Sequence, residues 1–214
     1  MRNAVRAVLI ACAICLSCAG CGGASSDVKP VPAAGLGLHG NPPSAQIGRP
    51  AFTLSDTAGR AYDFHAQTAG HVTLLYAGYT HCPDECPTTM ATIASALRSL
   101  SPTAAAQVKV VFLTVDPRRD NRKVMRTWLD GFHPPSPFVG LTGPMRQVKR
   151  AEIALAMPAA NRKRAPESYK SGAYAVEHFD GLLAYGRDDR LETIYPSGVR
   201  PSELASDLRT LVGG

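Results

Sequence analysis

The stretch Tyr79-Thr80-His81-Cys82-Pro83-Asp84-Glu85-Cys86-Pro87 carries two cysteines four positions apart at the end of an apolar run. The apolar run, Val72 to Ala77 (VTLLYA), has the length of a buried strand. After the cysteines, apolar residues recur at helical spacing from Thr88 to Leu100. The two thiols therefore lie where a strand passes into a helix.

This position has chemical consequences for the thiols. Backbone N–H groups at the start of a helix favour a thiolate over a neutral thiol. A thiolate attacks disulfides and binds soft metal ions more readily than a thiol does. Because three residues separate them, Cys82 and Cys86 can converge on one metal ion or close into a disulfide. That disulfide would be either a redox pair or a permanent structural staple.

The remainder of the chain indicates alternating strands and helices. A polar turn at Ser55 to Gly59 predicts a hairpin between two short strands. Val108 to Val115 predicts a central strand that is buried on both faces. A helix is predicted at Asn121 to Gly131, with Asp120 or Asn121 as its cap. The further predicted elements are a strand at Phe138 to Leu141, a helix at Met145 to Met157 capped by Thr142, an exposed basic loop at Ala159 to Gly172, strands at Ala173 to Val176, Gly181 to Tyr185 and Leu191 to Tyr195, and a closing helix at Pro201 to Val212. This order predicts an α/β fold, a thioredoxin-like three-layer sandwich with a central mixed sheet and an N-terminal β-hairpin.

The composition of the 214 residues is ordinary for a globular protein. The formal net charge of +6 includes Arg2 and Arg6 near the N-terminus, and the other basic residues form no long block. Nucleic-acid binding is therefore not supported.

The N-terminal segment predicts export and anchoring. Arg2 and Arg6 precede an apolar run that is too short for an ordinary spanning helix. Ala19-Gly20-Cys21 resembles a bacterial lipobox, in which the cysteine is lipidated and becomes the mature N-terminus. We expect a membrane-anchored lipoprotein that faces the periplasm or the outer side of the cytoplasmic membrane. The predicted parts are a signal peptide at 1–21, a flexible Gly/Pro/Ala-rich tether at 22–50 and a thioredoxin-like domain at 51–214.

Removal of the leader and lipidation of Cys21 would reduce the number of free thiols. Of the six cysteines, three lie inside the apolar leader and Cys21 is the predicted lipidation site. Only Cys82 and Cys86 remain as thiols in the mature chain. They pair with each other, with a metal ion or with a partner.

Four segments together resemble the Sco/SenC family of exported thioredoxin-like proteins over about residues 45 to 212. Thr80 to Pro87 matches the cysteine loop of that family in residue type and spacing, and Val115 to Asp120 is similar to its acidic segment. Val139 to Gly143 resembles the next strand-to-helix turn, and Glu177-His178 corresponds to an Asp-His pair. The chain differs from the family pattern at Glu177, and at Phe179 it has no small hydroxyl residue.

The resemblance implies that Cys82, Cys86 and His178 bind copper, with the thiolates holding Cu(I) and the histidine needed most for Cu(II). His81 is the other histidine near the thiols, but its side chain is expected to point away from Cys82. Asp116 either hydrogen-bonds near the site and helps a partner to dock, or caps a turn before a proline.

Two functions follow for this thiol pair. The first, which the resemblance to the Sco/SenC family implies, is a copper metallochaperone for the copper centre of a respiratory cytochrome c oxidase, with the copper-receiving oxidase subunit as partner. The alternative is an exported thiol-disulfide oxidoreductase that acts on cysteines of that subunit or of another periplasmic copper chaperone, with Cys82 and Cys86 as its catalytic pair. A separate thiol reductant is a further expected partner. A thiol peroxidase is not favoured, because Tyr79 and Pro83 stand where such an enzyme has Thr or Ser.

Overall fold

A computed structural model describes residues 36–164 and 174–213. Its strands are β1 (Thr53–Asp56), β2 (Ala61–Asp63), β3 (Val72–Gly78), β4 (Val108–Thr114), β5 (Val139–Thr142), β6 (Asn161–Arg164), β7 (Tyr174–Glu177), β8 (Leu182–Tyr185) and β9 (Leu191–Tyr195). Its helices are α1 (Phe64–Thr68), α2 (Glu85–Arg98), α3 (Pro102–Ala106), α4 (Arg122–Asp130), α5 (Met145–Ala154) and α6 (Pro201–Gly213). The predicted signal peptide, Cys21 and residues 22–35 of the predicted tether lie outside the described residues.

Seven strands form one mixed sheet in the order β2-β1-β5-β4-β3-β8-β9. The three central strands β5, β4 and β3 are parallel, and the neighbours on either side are antiparallel. Every residue of β3 is buried. Because successive side chains of a strand point to opposite faces, both faces of the sheet are covered there. The predicted α/β sandwich with a central mixed sheet and an N-terminal hairpin is confirmed.

The helices pack on this sheet and begin where local chemistry allows. Helix α6 contacts α2 and β3, and α4 contacts β5. The side chain of Asn121 accepts a hydrogen bond from the backbone N–H of Val124, which confirms one of the two predicted caps for α4. Within the described ranges, none of the helices combines the length and apolar character needed to cross a bilayer.

The predicted exposed loop at residues 159–172 is wrong for its first part. Asn161–Arg164 forms β6, which pairs antiparallel with β7 in a separate two-stranded sheet. Charged residues are depleted in strands that need packing on both faces. The side chains of Asn161, Arg162 and Lys163 are exposed, and Lys163 pairs with Glu177 at 2.6 Å. These polar residues give β6 no apolar pattern from which a strand could be predicted. Residues 165–172 lie outside the described part.

The helix predicted at Met145 to Met157 begins at Met145 as predicted, but its cap and its end differ. Thr142 is the last residue of β5 rather than the cap, and Pro144 takes the cap position without a side-chain hydrogen bond. The helix ends at Ala154, and Ala156 has a positive φ of 55°. That left-handed conformation ends a helix before the following proline can do so.

Part of the predicted tether belongs to the folded body. Asn41 exchanges two backbone hydrogen bonds of 2.9 Å with Ile194 of β9, and Gly48 forms a bridge with Arg190. These bonds involve only the backbone, so a composition rich in Gly and Pro does not reveal them. We refer to residues 36–50 as the N-terminal arm.

The guanidinium of Arg49 fastens the end of this arm. Its side chain is fully buried and lies 3.1 Å from a carboxylate oxygen of Asp189. It donates hydrogen bonds to the backbone carbonyls of Gly186 at 2.7 Å, of His71 at 3.0 Å and of Thr68. One side chain therefore joins the arm to the segment before β3 and to the turn between β8 and β9.

Replacing Arg49 by Met should destabilise the protein strongly. The substitution removes three hydrogen bonds from the charged guanidinium to the carbonyls of Thr68, His71 and Gly186. Each hydrogen bond of this kind contributes about 1.5–3 kcal/mol. We expect the free energy of unfolding to fall by about 3 kcal/mol or more, measured by urea denaturation of the reduced protein. Arg200→Met, which removes an arginine with an exposed side chain, is the control and should leave the midpoint nearly unchanged. Equal midpoints for the two variants would contradict this role of Arg49.

Candidate metal centre

The first thiol, Cys82, lies in the loop between β3 and α2 and is partly exposed. Its backbone N–H closes a turn onto the carbonyl of Tyr79 at 3.1 Å. The backbone N–H of Cys86, in the first turn of α2, points at the Cys82 sulfur at 3.5 Å. This is the contact between a helix start and a thiol that the sequence predicts.

The second thiol, Cys86, is fully buried. Its sulfur accepts a hydrogen bond from the hydroxyl of Tyr76 at 3.8 Å. A Cβ atom at Gly78 would lie 2.8 Å from the same sulfur, so the absence of a side chain there makes room for the thiol. Tyr76 was not among the predicted site residues. The signal was available, because residues two apart in a strand share one face and Gly78 directly precedes the cysteine loop.

His178 follows β7 directly, and its Nε2 lies 3.6 Å from the Cys86 sulfur. Its Nδ1 donates to the backbone carbonyl of Phe179 at 2.8 Å, so Nε2 is left to face the sulfurs. The rings of Tyr76 and Tyr79 pack edge-on against the imidazole. Because the partner of Nδ1 is a backbone carbonyl, this hydrogen bond does not require a particular side chain at Glu177 or Phe179.

The ligand atoms of Cys82, Cys86 and His178 all lie within 4.8 Å of one another. Sulfur and nitrogen ligands bind metals such as zinc at about 2.0–2.3 Å, so donors on a single ion lie at most about 4.6 Å apart. Small side-chain movements therefore bring these three atoms onto one ion. His81 is outside the group, since its Nδ1 lies 3.0 Å from the hydroxyl of Thr80.

The electrostatics of the two thiols are opposite. The Cys86 side chain hydrogen-bonds the Cys82 sulfur and, together with His178 and backbone N–H groups, holds the pKa of Cys82 well below that of an ordinary thiol. The Cys82 sulfur and burial together raise the pKa of Cys86. Burial lowers the pKa of His178, but hydrogen bonds with Cys82 and with the Phe179 carbonyl outweigh this and raise it. The negative charge of the pair therefore resides on the accessible sulfur.

Asp120 fixes the start of the cysteine loop. This fully buried carboxylate accepts hydrogen bonds from the backbone N–H of Thr80 at 2.9 Å, from the hydroxyl of Thr80 at 2.6 Å and from the hydroxyl of Thr114 at 2.7 Å. It joins the ends of the parallel strands β3 and β4. From the sequence, Asp120 is a candidate helix cap and the end of an acidic segment, and no local pattern reveals a partner forty residues away.

Asp116 is also fully buried, but it is not part of the thiol cluster. Its carboxylate accepts hydrogen bonds from the hydroxyl of Tyr174 at 2.7 and 2.8 Å and from the guanidinium of Arg119. Its side chain therefore contacts the strand that leads to His178 rather than the cysteines.

Comparison with known proteins identifies relatives of this chain. A family model described as SCO1/SenC matches residues 40–213. The human mitochondrial protein SCO2 homolog is 39% identical over 164 residues, which cover 76% of this chain and 59% of that protein. The chain spans about half the length of the curated relatives it matches.

Two solved structures give the same fold. The structure of Bradyrhizobium japonicum ScoI with copper bound is 32% identical, with a TM-score of 0.65 over 77% of this chain and 99% of that chain. Apo Sco1 from Thermus thermophilus is 28% identical, with a TM-score of 0.69 over 81% of this chain and 96% of that chain. The predicted thioredoxin-like fold agrees with both.

In the reduced, metal-free protein, iodoacetamide should alkylate Cys82 before Cys86. Because the pKa of Cys82 is lowered, its reactive thiolate persists as the pH falls from neutral to mildly acidic values. Its labelling rate should therefore stay nearly constant over this range, whereas that of a cysteine in the unfolded chain falls about tenfold per pH unit below its pKa of about 8.5. Mass spectrometry of peptides identifies the labelled thiol.

The control for this prediction is Cys86→Ala, which removes the hydrogen bond to the Cys82 sulfur. The pKa of Cys82 should then rise, and a pH dependence of labelling should return. Faster labelling of Cys86 in the native protein, or a tenfold fall per pH unit for native Cys82, would show that the charge is not held on Cys82.

Proposed function

This chain belongs to the SCO1/SenC family, and we propose that it binds copper through Cys82, Cys86 and His178 and delivers the ion to the copper centre of a respiratory cytochrome c oxidase. The observation that carries the proposal is the position of the His178 Nε2, 3.6 Å from a buried cysteine sulfur. The copper-bound ScoI structure from Bradyrhizobium japonicum supports it. The copper ion is cargo, and the copper-receiving oxidase subunit is the proposed partner.

The donor set suits both oxidation states of copper. Soft thiolates favour Cu(I), and an added imidazole extends the set to Cu(II). The lowered pKa of Cys82 provides one thiolate before any metal binds, and binding removes the proton from Cys86. Because Cys82 is the more exposed sulfur, an incoming ligand from a partner reaches the ion on its side.

The alternative, a thiol-disulfide oxidoreductase, accounts for fewer of the residues. Exchange with a partner disulfide requires an accessible thiolate and a second cysteine, which Cys82 and Cys86 supply. It does not require an imidazole against the buried sulfur. The same dithiol must be reduced before it binds copper, so a thiol reductant and another periplasmic copper chaperone remain proposed partners.

We further propose that the protein is exported and anchored through a lipid on Cys21, as the leader sequence suggests. The tether between this residue and the arm would place the metal centre at a distance from the membrane surface.

Replacing His178 by Ala should affect the affinities for Cu(I) and Cu(II) differently. Two thiolates remain for Cu(I), so its affinity should change little. The Cu(II) affinity should fall by more than about 100-fold, because loss of a ligand exceeds the 10–100-fold effect of losing a group that supports one. Anaerobic titration of the reduced, leader-free protein with each ion, with absorption spectra of thiolate-to-Cu(II) charge transfer, makes the measurement.

His81→Ala is the matched control, since it removes the histidine that is next to Cys82 in sequence but outside the ligand group. It should keep native Cu(II) binding and spectra. If His178→Ala binds Cu(II) as the native protein does, or if neither ion binds tightly while the disulfide exchanges readily, the oxidoreductase becomes the better account.

Replacing Cys21 by Ala should release the protein from membranes. Cells labelled with radioactive palmitate should incorporate the label into the native protein and into a Cys12→Ala control, but not into Cys21→Ala. Membrane and soluble fractions report the distribution of each variant. Incorporation into Cys21→Ala would place the anchor elsewhere.

A further inference from the structure

The histidine ligand and the two cysteines are carried by separate sheets. The cysteine loop follows β3, which is a central strand of the seven-stranded sheet. His178 follows β7, which pairs only with β6 among the described residues. No backbone ladder there fixes the β6–β7 ribbon to the large sheet. The position of His178 on this side of the site therefore depends on side-chain contacts of the ribbon.

One group of side chains supplies such contacts at the start of β7. The hydroxyl of Tyr174 lies 2.7 and 2.8 Å from the two carboxylate oxygens of Asp116. The guanidinium of Arg119 bonds the same carboxylate and donates to the backbone carbonyl of Tyr174 at 3.1 Å. We call Tyr174, Asp116 and Arg119 the tyrosine clamp. It holds both the side chain and the backbone of the first residue of β7.

The clamp reaches the metal centre by a second route. The guanidinium carbon of Arg119 lies 3.7 Å from the centre of the Tyr174 ring and 5.4 Å from the centre of the Tyr79 ring. The Tyr79 ring in turn packs edge-on against the imidazole of His178, with ring centres 5.7 Å apart. Stacking of a guanidinium between two aromatic faces is favourable and directional. The clamp therefore contacts the strand before His178 and a ring that packs against it.

We propose that Tyr174 is a positioning residue for His178, and that the tyrosine clamp sets the affinity of the site for Cu(II) without setting its affinity for Cu(I). The inference rests on the proposed copper function of the site. Its basis is that the clamp holds the half of the site that carries the imidazole, whereas Asp120 holds the half that carries the thiols. Copper bound by the two sulfurs alone is insensitive to the ribbon.

The test is Tyr174→Phe, which keeps the ring and its stacking but removes the hydroxyl that bonds Asp116. The Cu(II) affinity should fall about 10-fold, the lower end of the range for groups that orient a ligand. The Cu(I) affinity should be unchanged within error, and the charge-transfer spectrum of the Cu(II) form should shift. Competition titrations with chromophoric Cu(I) and Cu(II) chelators measure both affinities.

Tyr195→Phe is the matched control. The hydroxyl of Tyr195 also donates to a buried aspartate, Asp207, at 2.9 Å, but it lies on β9 and is not part of the clamp. Each variant removes a hydroxyl that donates to a buried aspartate, from the partly buried Tyr174 or the fully buried Tyr195. A general loss of stability therefore affects both. Tyr195→Phe should keep native affinity for both ions.

The outcomes separate this inference from the proposed function. Native Cu(II) affinity in Tyr174→Phe, or an equal loss of Cu(I) and Cu(II) affinity, overturns the positioning role. If the native protein binds no copper at all, the proposed function fails, and the apo protein decides the role of the clamp. Amide hydrogen exchange should then be faster in β7 of Tyr174→Phe than in β7 of Tyr195→Phe, and equal rates would overturn it.

Discussion

The hydrogen bonds received by the buried carboxylate of Asp120 determine where the cysteine loop begins. A charged group with no exposed surface is stable only if its oxygens are paired, and here the partners are Thr80 and Thr114 at the ends of two parallel strands. The loop therefore leaves the sheet from a fixed point. From that point the chain reaches the start of α2 within a few residues, which brings Cys82 next to the N–H of Cys86. The separation of the two sulfurs follows from this arrangement.

The two halves of the metal centre differ in how firmly they are held. The buried sulfur of Cys86 is enclosed by Tyr76 and by the bare backbone of Gly78, within the close-packed core. His178 lies at the end of the β6–β7 ribbon, in which residues 161–163 are exposed and Val176 is buried. Side-chain contacts attach this ribbon to the body. The half of the site in the core and the half on the ribbon would respond differently to a change in the number of ligands on a bound ion. In the proposed copper site, the sulfurs and the imidazole are therefore held by different parts of the fold.

Much of the fold and the position of the two thiols could be predicted from the sequence, because they rest on local patterns, whereas His178 was proposed only through the family resemblance. The run Val72 to Ala77, the spacing of the two cysteines and the cap at Asn121 each depend on neighbours in sequence. The contacts missed join distant residues. Asp120 meets Thr80 across forty residues, and Asp116 meets Tyr174 across fifty-eight. The charged residues of β6 do not show the alternation of apolar and polar residues that predicts a strand. The backbone hydrogen bonds of the N-terminal arm do not depend on side-chain type. These contacts between distant residues are set by the tertiary fold and produce no periodic pattern in the sequence.

The N-terminal arm covers part of a sheet edge that could otherwise pair with another chain. Strand β9 lies at one end of the seven-stranded sheet, and an edge strand with free N–H and carbonyl groups invites pairing with another chain. The arm occupies part of that edge through the paired bonds of Asn41 with Ile194 and the bond from the N–H of Leu191 to the carbonyl of Ile47. The buried Arg49 keeps it there. A segment whose composition predicts a mere spacer thus shields the sheet from forming an intermolecular one, which is of particular value for proteins that an anchor would concentrate on one surface.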